Sequence, residues 1–203
     1  MLELISAGGI MMFPILLCSV LALAIVAERS WTLRRGQIMP SDLLARTRGL
    51  VTENQLTENH LRQLHSSPLG KVLAAGLVHR MQPREAIKDA IEDVGSHVAH
   101  QLERYLTALG TIANITPLLG LLGTVMGMIS VFATISSTGV GDAQALAGGI
   151  SQALITTAAG LCVAIPSLVA HRYLRGRVLG YVVEMEQAAL KLIDTIELQK
   201  KKG

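Results

Sequence analysis

The chain has 203 residues, of which 50% are hydrophobic, only 3% aromatic and 16% charged, against about 25% charged in an ordinary soluble domain. A net charge of +3 and a mean hydropathy of +0.45 offer no strongly basic face for a nucleic acid. The apolar mass is Leu, Ile, Val, Ala and Met, the composition of packed helices rather than of a sheet.

The first predicted element is a membrane span. Leu4 to Ala27 is 24 residues without a charge, and about 20 suffice to cross a bilayer. Ala22-Leu-Ala24 resembles a signal cleavage site, but the first 28 residues hold Glu3 and Glu28 and no Lys or Arg. A signal peptide needs a basic start, so the reading is an uncleaved span with Pro14 as a possible kink. Glu28, Arg29 and Trp31, followed by Arg34 and Arg35, are expected to anchor its end at the membrane interface.

A polar stretch follows, punctuated by Pro40, Pro68 and Pro83 into short helices. From Arg84 the pattern is helical: Ile87, Ile91, Val94, Val98, Leu102, Leu106 and Leu109 recur at three- and four-residue spacing. The stripe runs without interruption into the next apolar segment, which predicts one long helix from about Arg84 to Ile135. Tyr105 to His171 is 67 residues with a single formal charge, Asp142. It reads as two spans joined by a turn at 136–142, the third span running from about Ala143 to Ala170. His171-Arg-Tyr-Leu-Arg-Gly-Arg177 forms a second basic end, and an amphipathic segment, 178–198, closes the chain before a lysine tail. The expected organisation is residues 1–28 as N-terminal residues and first span, 29–110 as a polar helical domain, 111–171 as second and third spans, and 172–203 as a C-terminal helix.

Topology follows from basic residues. Eleven of the 18 Lys and Arg lie between Arg29 and Arg104 and seven between Arg172 and Lys202, with none in the N-terminus or the 136–142 turn. The positive-inside rule then places the polar domain and C-terminus in the cytoplasm and the N-terminus and turn outside.

Candidate functional residues lie in the spans. Gly120, Gly123 and Gly127 in the second, and Gly149, Ala153, Thr157, Gly160 and Ala164 in the third, form ladders that let helix backbones approach closely. The ladders fit folding within one chain and assembly between chains alike. Thr124, Thr156, Thr157 and Gln152 are either packing groups bonded to their own helix or the lining of a narrow polar path. No Asp, Glu, Lys or Arg lies near the centre of a span, whereas proton relays use such groups. If the chain moves protons, the titrating carboxylate belongs to another subunit; the alternatives are a non-conducting scaffold or a transporter of uncharged solutes, for which three spans without an internal repeat are few. Cys18 and Cys162 sit in apolar runs and are expected to be buried small hydrophobes rather than a disulfide or metal site, and no Cys/His cluster, phosphate loop or nucleophile elbow appears. No metal, cofactor or enzymatic activity is expected.

Glu28-Arg29, Pro117-Leu-Leu-Gly-Leu-Leu-Gly-Thr-Val-Met-Gly127 and Gly149-Ile-Ser-Gln-Ala-Leu-Ile-Thr-Thr-Ala-Ala-Gly-Leu-Cys-Val-Ala-Ile-Pro166 resemble the ExbB/TolQ branch of the MotA/TolQ/ExbB proton-channel family. The resemblance implies an all-α, three-span protein of the bacterial inner membrane that assembles as a homopentamer around a central pore. It implies an ExbD/TolR-type partner whose single helix occupies the pore and carries the proton on an Asp, and a TonB- or TolA-type protein to which the motion is passed. By resemblance, Thr124 and Thr157 match the family's pore threonines. Gln152 stands where the family has a third-span Glu, which leaves an amide role but no carboxylate at that position.

Overall fold

The computed structural model describes residues 8–53, 57–138 and 143–201. Eight helices occur among them: α1 (Met12–Thr32), α2 (Arg35–Ile38), α3 (Leu43–Thr52), α4 (Glu58–Leu64), α5 (Pro68–Val78), α6 (Arg84–Glu103), α7 (Leu106–Thr138) and α8 (Ala143–Lys200). No strand occurs among the described residues. Three helices, α1, α7 and α8, are long and apolar enough to cross a membrane. The protein is therefore an all-α membrane protein. Most of the turn expected at 136–142 lies outside the described residues, as does Asp142.

The chain divides into two compact units. One comprises Met1–Glu28 with Tyr105–Tyr173; the other comprises Arg29–Arg104 with Leu174–Gly203. The first, the membrane unit, holds the apolar parts of α1, α7 and α8. Here α7 and α8 run antiparallel, since Gly149 meets Val131 near one end and Gly110 meets His171 near the other. Alongside α8 lies α1, where Ser19, Ala22, Leu23 and Val26 share a cleft with Cys162, Val163, Pro166, Ser167 and Ala170. Pro14 is the third residue of α1, a first-turn position where the missing N–H has no helical partner to lose. It therefore removes no bond from the span.

The second, polar unit is a helical domain with an aliphatic core. Leu73, Leu77, Ile87, Leu192 and Ile193 are all 2% exposed or less. The helices α5, α6 and α8 meet at Gly76, where a β-carbon would lie 2.8 Å from Ile91 Cδ1 and 3.6 Å from Leu192 Cδ2. Ser67 caps α5: its hydroxyl accepts the Gly70 N–H at 3.1 Å, and Pro68 takes the first helical position. Pro83 stands at the start of α6.

Two continuities differ from expectation. The helix expected over Arg84 to Ile135 is two helices, separated by Arg104 and Tyr105, with Tyr105 in the left-handed region at φ 64°. The apolar stripe hid this break because Leu102 and Leu106 are both buried and keep a four-residue spacing across it. Conversely, the basic cluster at Arg172–Arg177, read as the end of a span, lies inside α8, which is helical for 58 residues.

Candidate functional site: the α7–α8 seam

The glycine ladders mate with one another inside a single chain. A β-carbon on Gly160 would lie 2.8 Å from the Thr116 carbonyl oxygen and 3.2 Å from the Gly120 α-carbon. One on Gly120 would lie 3.0 Å from the Thr156 carbonyl, and one on Gly127 2.9 Å from the Gly149 carbonyl and 3.0 Å from the Ala153 β-carbon. At Gly123 it would collide with the Thr156 hydroxyl, and at Gly149 with Val131. At Gly120, Gly127 and Gly160 the nearest neighbour is backbone, so no side-chain rotation could accommodate a larger residue there. Hydrophobic sequestration does not hold helices together in lipid, so contact of this closeness is what does.

Hydroxyls occupy the same seam. Thr156 is fully buried, its hydroxyl shared between the carbonyls of Gln152 at 3.1 Å and Ala153 at 2.9 Å in its own helix. Thr157 reaches across: its hydroxyl donates to the Gly120 carbonyl at 3.2 Å. Because Gly120 lacks a side chain, the two helices come close enough for that bond. Thr124 is half-buried, and its hydroxyl donates within α7 to the Leu121 carbonyl at 2.6 Å. Gln152 is also half-buried but looks away from α7: its amide lies against Gly9, just before α1, where any β-carbon would overlap it. Gly9 has φ +66°, a backbone conformation that favours glycine. The structure thus brings Thr156 and Thr157 together with Gly120 and Gly123, and sets Thr124 and Gln152 apart from that cluster.

The expected interfacial anchors divide similarly. Trp31 is 62% exposed with the Arg34 guanidinium stacked 4.2 Å from its ring centre, and Glu28 is exposed. Arg29, by contrast, is 4% exposed, and its Nη1 donates to the Leu102 carbonyl at 3.5 Å. It places a cation at the carbonyl end of α6, where the helix dipole favours one. Near it, Arg177 donates to the Leu33 carbonyl at 2.8 Å and to the Tyr181 hydroxyl at 2.7 Å, while that hydroxyl donates to Leu33 at 3.0 Å. No group of three or more His, Cys, Asp or Glu suited to a metal occurs among the described residues. The cysteines differ from the expected burial: Cys18 is half-buried and Cys162 is exposed on the single chain.

Sequence reading passed over three polar residues of the seam. Thr116 is 0% and Ser167 4% exposed, each donating to a carbonyl of its own helix. His171 is half-buried, with Nδ1 buried and without a hydrogen-bond partner. Spacing alone placed them: Gly160, Ala164, Ser167 and His171 continue one three- and four-residue stripe.

A profile of the MotA/TolQ/ExbB proton channel family matches residues 64–187, which take in the whole seam. The chain is 38% identical over 175 residues to a biopolymer transport protein described as ExbB-like 1 from Synechocystis sp., spanning 82% of this chain and 67% of that relative. It is 33% identical over 165 residues to ExbB-like 3 of the same organism, spanning 80% of this chain and 79% of the relative. To the biopolymer transport protein exbB1 of Vibrio cholerae it is 32% identical over 167 residues, spanning 79% and 72%. With three membrane-length helices and a glycine seam lying within the matched segment, the chain belongs to the ExbB/TolQ branch of the MotA/TolQ/ExbB proton channel family.

Proposed function

We propose that this chain is the channel-wall subunit of an inner-membrane machine that converts the proton-motive force into mechanical work on a TonB- or Tol-type envelope system. The observation that carries the reading is the α7–α8 hairpin: a close-packed seam, hydroxyls along it, and no carboxylate in either helix within its apolar length. Such a wall offers a proton polar contacts but no carboxylate within its apolar length, so the carrier carboxylate comes from a second protein. An ExbD/TolR-type single-span partner, seated in a pore formed by five copies of this chain, supplies it. The polar unit and the C-terminus then lie in the cytoplasm, with the N-terminus and the α7–α8 turn in the periplasm.

The energy scale is consistent with this division of labour. One charge crossing 100 mV gains about 2.3 kcal/mol, and an ionised carboxylate at mid-membrane costs a similar amount or more. A partner Asp therefore crosses the apolar wall protonated and ionises where water or hydroxyls receive it. Thr157 and Thr124, half-buried beside exposed apolar faces, fit that role as hydrogen-bonding groups. Thr156 and Gln152 support them from within the chain, Gln152 as an amide that cannot carry the proton.

Co-expression with a single-span membrane protein bearing an intramembrane Asp tests the reading. The expected result is a complex that purifies as five copies of this chain with the partner and restores uptake through the cognate outer-membrane system. A non-conducting scaffold, favoured by the uncharged hairpin alone, would assemble without the partner and restore nothing. A monomer in native mass spectrometry would contradict the pore.

A further inference from the structure

From Ala153 to Ile196 one stripe of α8 is buried: Ala153, Thr156, Gly160, Ala164 and Ser167, then Leu174, Val178, Tyr181 and onward to Ile196, with half-buried Gly149 one turn before it. His171 takes the stripe position between Ser167 and Leu174. Its ring lies against α7 at Gly110, where a β-carbon would stand 3.0 Å from Cε1, 3.1 Å from Nε2 and 3.3 Å from Nδ1. Glycine at 110 thus makes room for the ring. Nδ1 is buried and has no hydrogen-bond partner. Leaving a buried polar atom unbonded is destabilising, a cost an apolar side chain of similar size would not incur. The ring shares the α7-facing side of α8 with Thr157, about 21 Å further along by the rise of an α-helix.

Among the described residues of the membrane unit, His171 is the single histidine. Within the membrane unit the charged and titratable groups at the same end of the three helices are Glu28 on α1, Tyr105 at the start of α7, and Arg172 and Tyr173 on α8, with Arg29 the next residue of α1 and Arg104 the residue before Tyr105. The span of α7 facing it carries no charged residue from Leu106 to Thr138. Imidazole is the side chain whose ordinary proton exchange falls near neutral pH.

We propose that His171 is a proton-relay residue at the foot of the α7–α8 hairpin, handing protons between water in the membrane path and water beyond Arg172. This rests on the channel reading above. In each transfer the neutral ring takes a proton from a hydrated proton on its unprotonated nitrogen. It then releases the other nitrogen's proton to bulk water, which returns the ring to neutrality in the opposite tautomer. No oxidation state changes and no bond between heavy atoms is made or broken; the ring's C–N single and double bonds exchange places as the tautomer changes. Rotation of the ring against Gly110, which has no side chain to obstruct it, turns the newly protonated nitrogen toward the exit and the bare nitrogen back toward the path, ready for the next transfer.

The test is proton flux, per assembled complex, in liposomes holding the full chain with its single-span partner, read with an internal pH-sensitive dye. His171→Gln should reduce flux at least about tenfold, in keeping with the loss of a positioned acid–base group, and should change how flux depends on pH at the Arg172 end. His171→Ala should be equally slow and should recover on adding imidazole at that end, a response that a packing role would not give. A wild-type complex that conducts while His171→Gln matches its rate and pH profile would overturn the relay alone. So would a slow His171→Ala that imidazole leaves slow. A wild-type complex that moves no protons would overturn the channel reading, and the relay with it.

Discussion

Helix α8 belongs to two different solvents, and its buried stripe changes character between them. In the membrane unit the contact positions are Gly149, Ala153, Thr156, Gly160, Ala164 and Ser167; in the polar unit they are Leu174, Val178, Tyr181, Met185, Leu192 and Ile196. With Ala188 filling the position between Met185 and Leu192, the spacing is the same, three and four residues, but most of the polar-unit positions are larger. In water, burying a large aliphatic side chain is worth about 1.5–3 kcal/mol, so the polar unit fills its interior with Leu, Ile and Met. Lipid gives no such return for apolar area. The membrane unit brings backbones together instead, gaining dispersion contacts and the Thr157 to Gly120 hydrogen bond. One helix thus shows that periodicity sets which residues are buried, while the solvent sets how large they are.

The sharpest way to break this comparison is to put volume into the seam. Gly160→Leu and Gly120→Leu each drive a side chain into α7–α8 backbone atoms about 3 Å away, beyond the ordinary 1–3 kcal/mol cost of overpacking. Size-exclusion chromatography in detergent should recover little or no monodisperse protein. The same substitution at Gly180, in the polar half of α8, meets nothing within 4 Å. Gly180→Leu should leave the elution profile unchanged and stability within about 0.5 kcal/mol, apart from a small gain in helix propensity. Equal tolerance at Gly160 and Gly180 would sink the contrast.

The reverse experiment takes volume out. Leu192→Ala empties a fully buried site in the polar unit and should cost about 2–5 kcal/mol, seen as a lowered thermal midpoint in detergent. Ala153→Gly in the membrane half should cost no more than about 1 kcal/mol by helix propensity. Thr157→Val keeps shape and removes the cross-helix hydrogen bond. Its structural cost, on the order of 0.6 kcal/mol and up to about 1.7, is too small to dissolve the hairpin, so the complex should purify intact. The smallest effect belongs to the exposed pair of Arg84 with Asp194, 3.0 Å apart with both side chains at least half exposed. Arg84→Ala should move the thermal midpoint by no more than about 0–1 kcal/mol allows.

Much of this contrast was legible from residues alone. The three spans stood out by their lack of charge, and the glycines at 120, 123, 127, 149 and 160 announced close packing. Spacing could not say whether the ladders met within one chain, since the same faces satisfy either arrangement; only the placement of Gly160 over Gly120 shows it. The break at Tyr105 left no trace because neither Gly nor Pro marks it and Leu102 to Leu106 preserves the stripe. Arg172 to Arg177 looked like an ending because charge changes there, yet helical backbone bonding is indifferent to what the side chains face. Arg29 looked like a lipid anchor because cations at span ends usually are; its burial depends on a carbonyl 73 residues away. His171 was read only as the first residue of a basic span end, although its register on the stripe already placed it against α7.

The account stands on the claim that this hairpin is the wall of a proton path and that its hydroxyls take part. Proton flux through the reconstituted complex of this chain and its single-span partner, compared with a Thr124→Val/Thr157→Val double variant, addresses it most directly. The account predicts flux in the wild-type complex that rises with imposed voltage and falls at least about tenfold in the variant, while partner retention and detergent stability stay close to wild type. Undiminished flux in the double variant would reduce both threonines to packing groups and contradict the account.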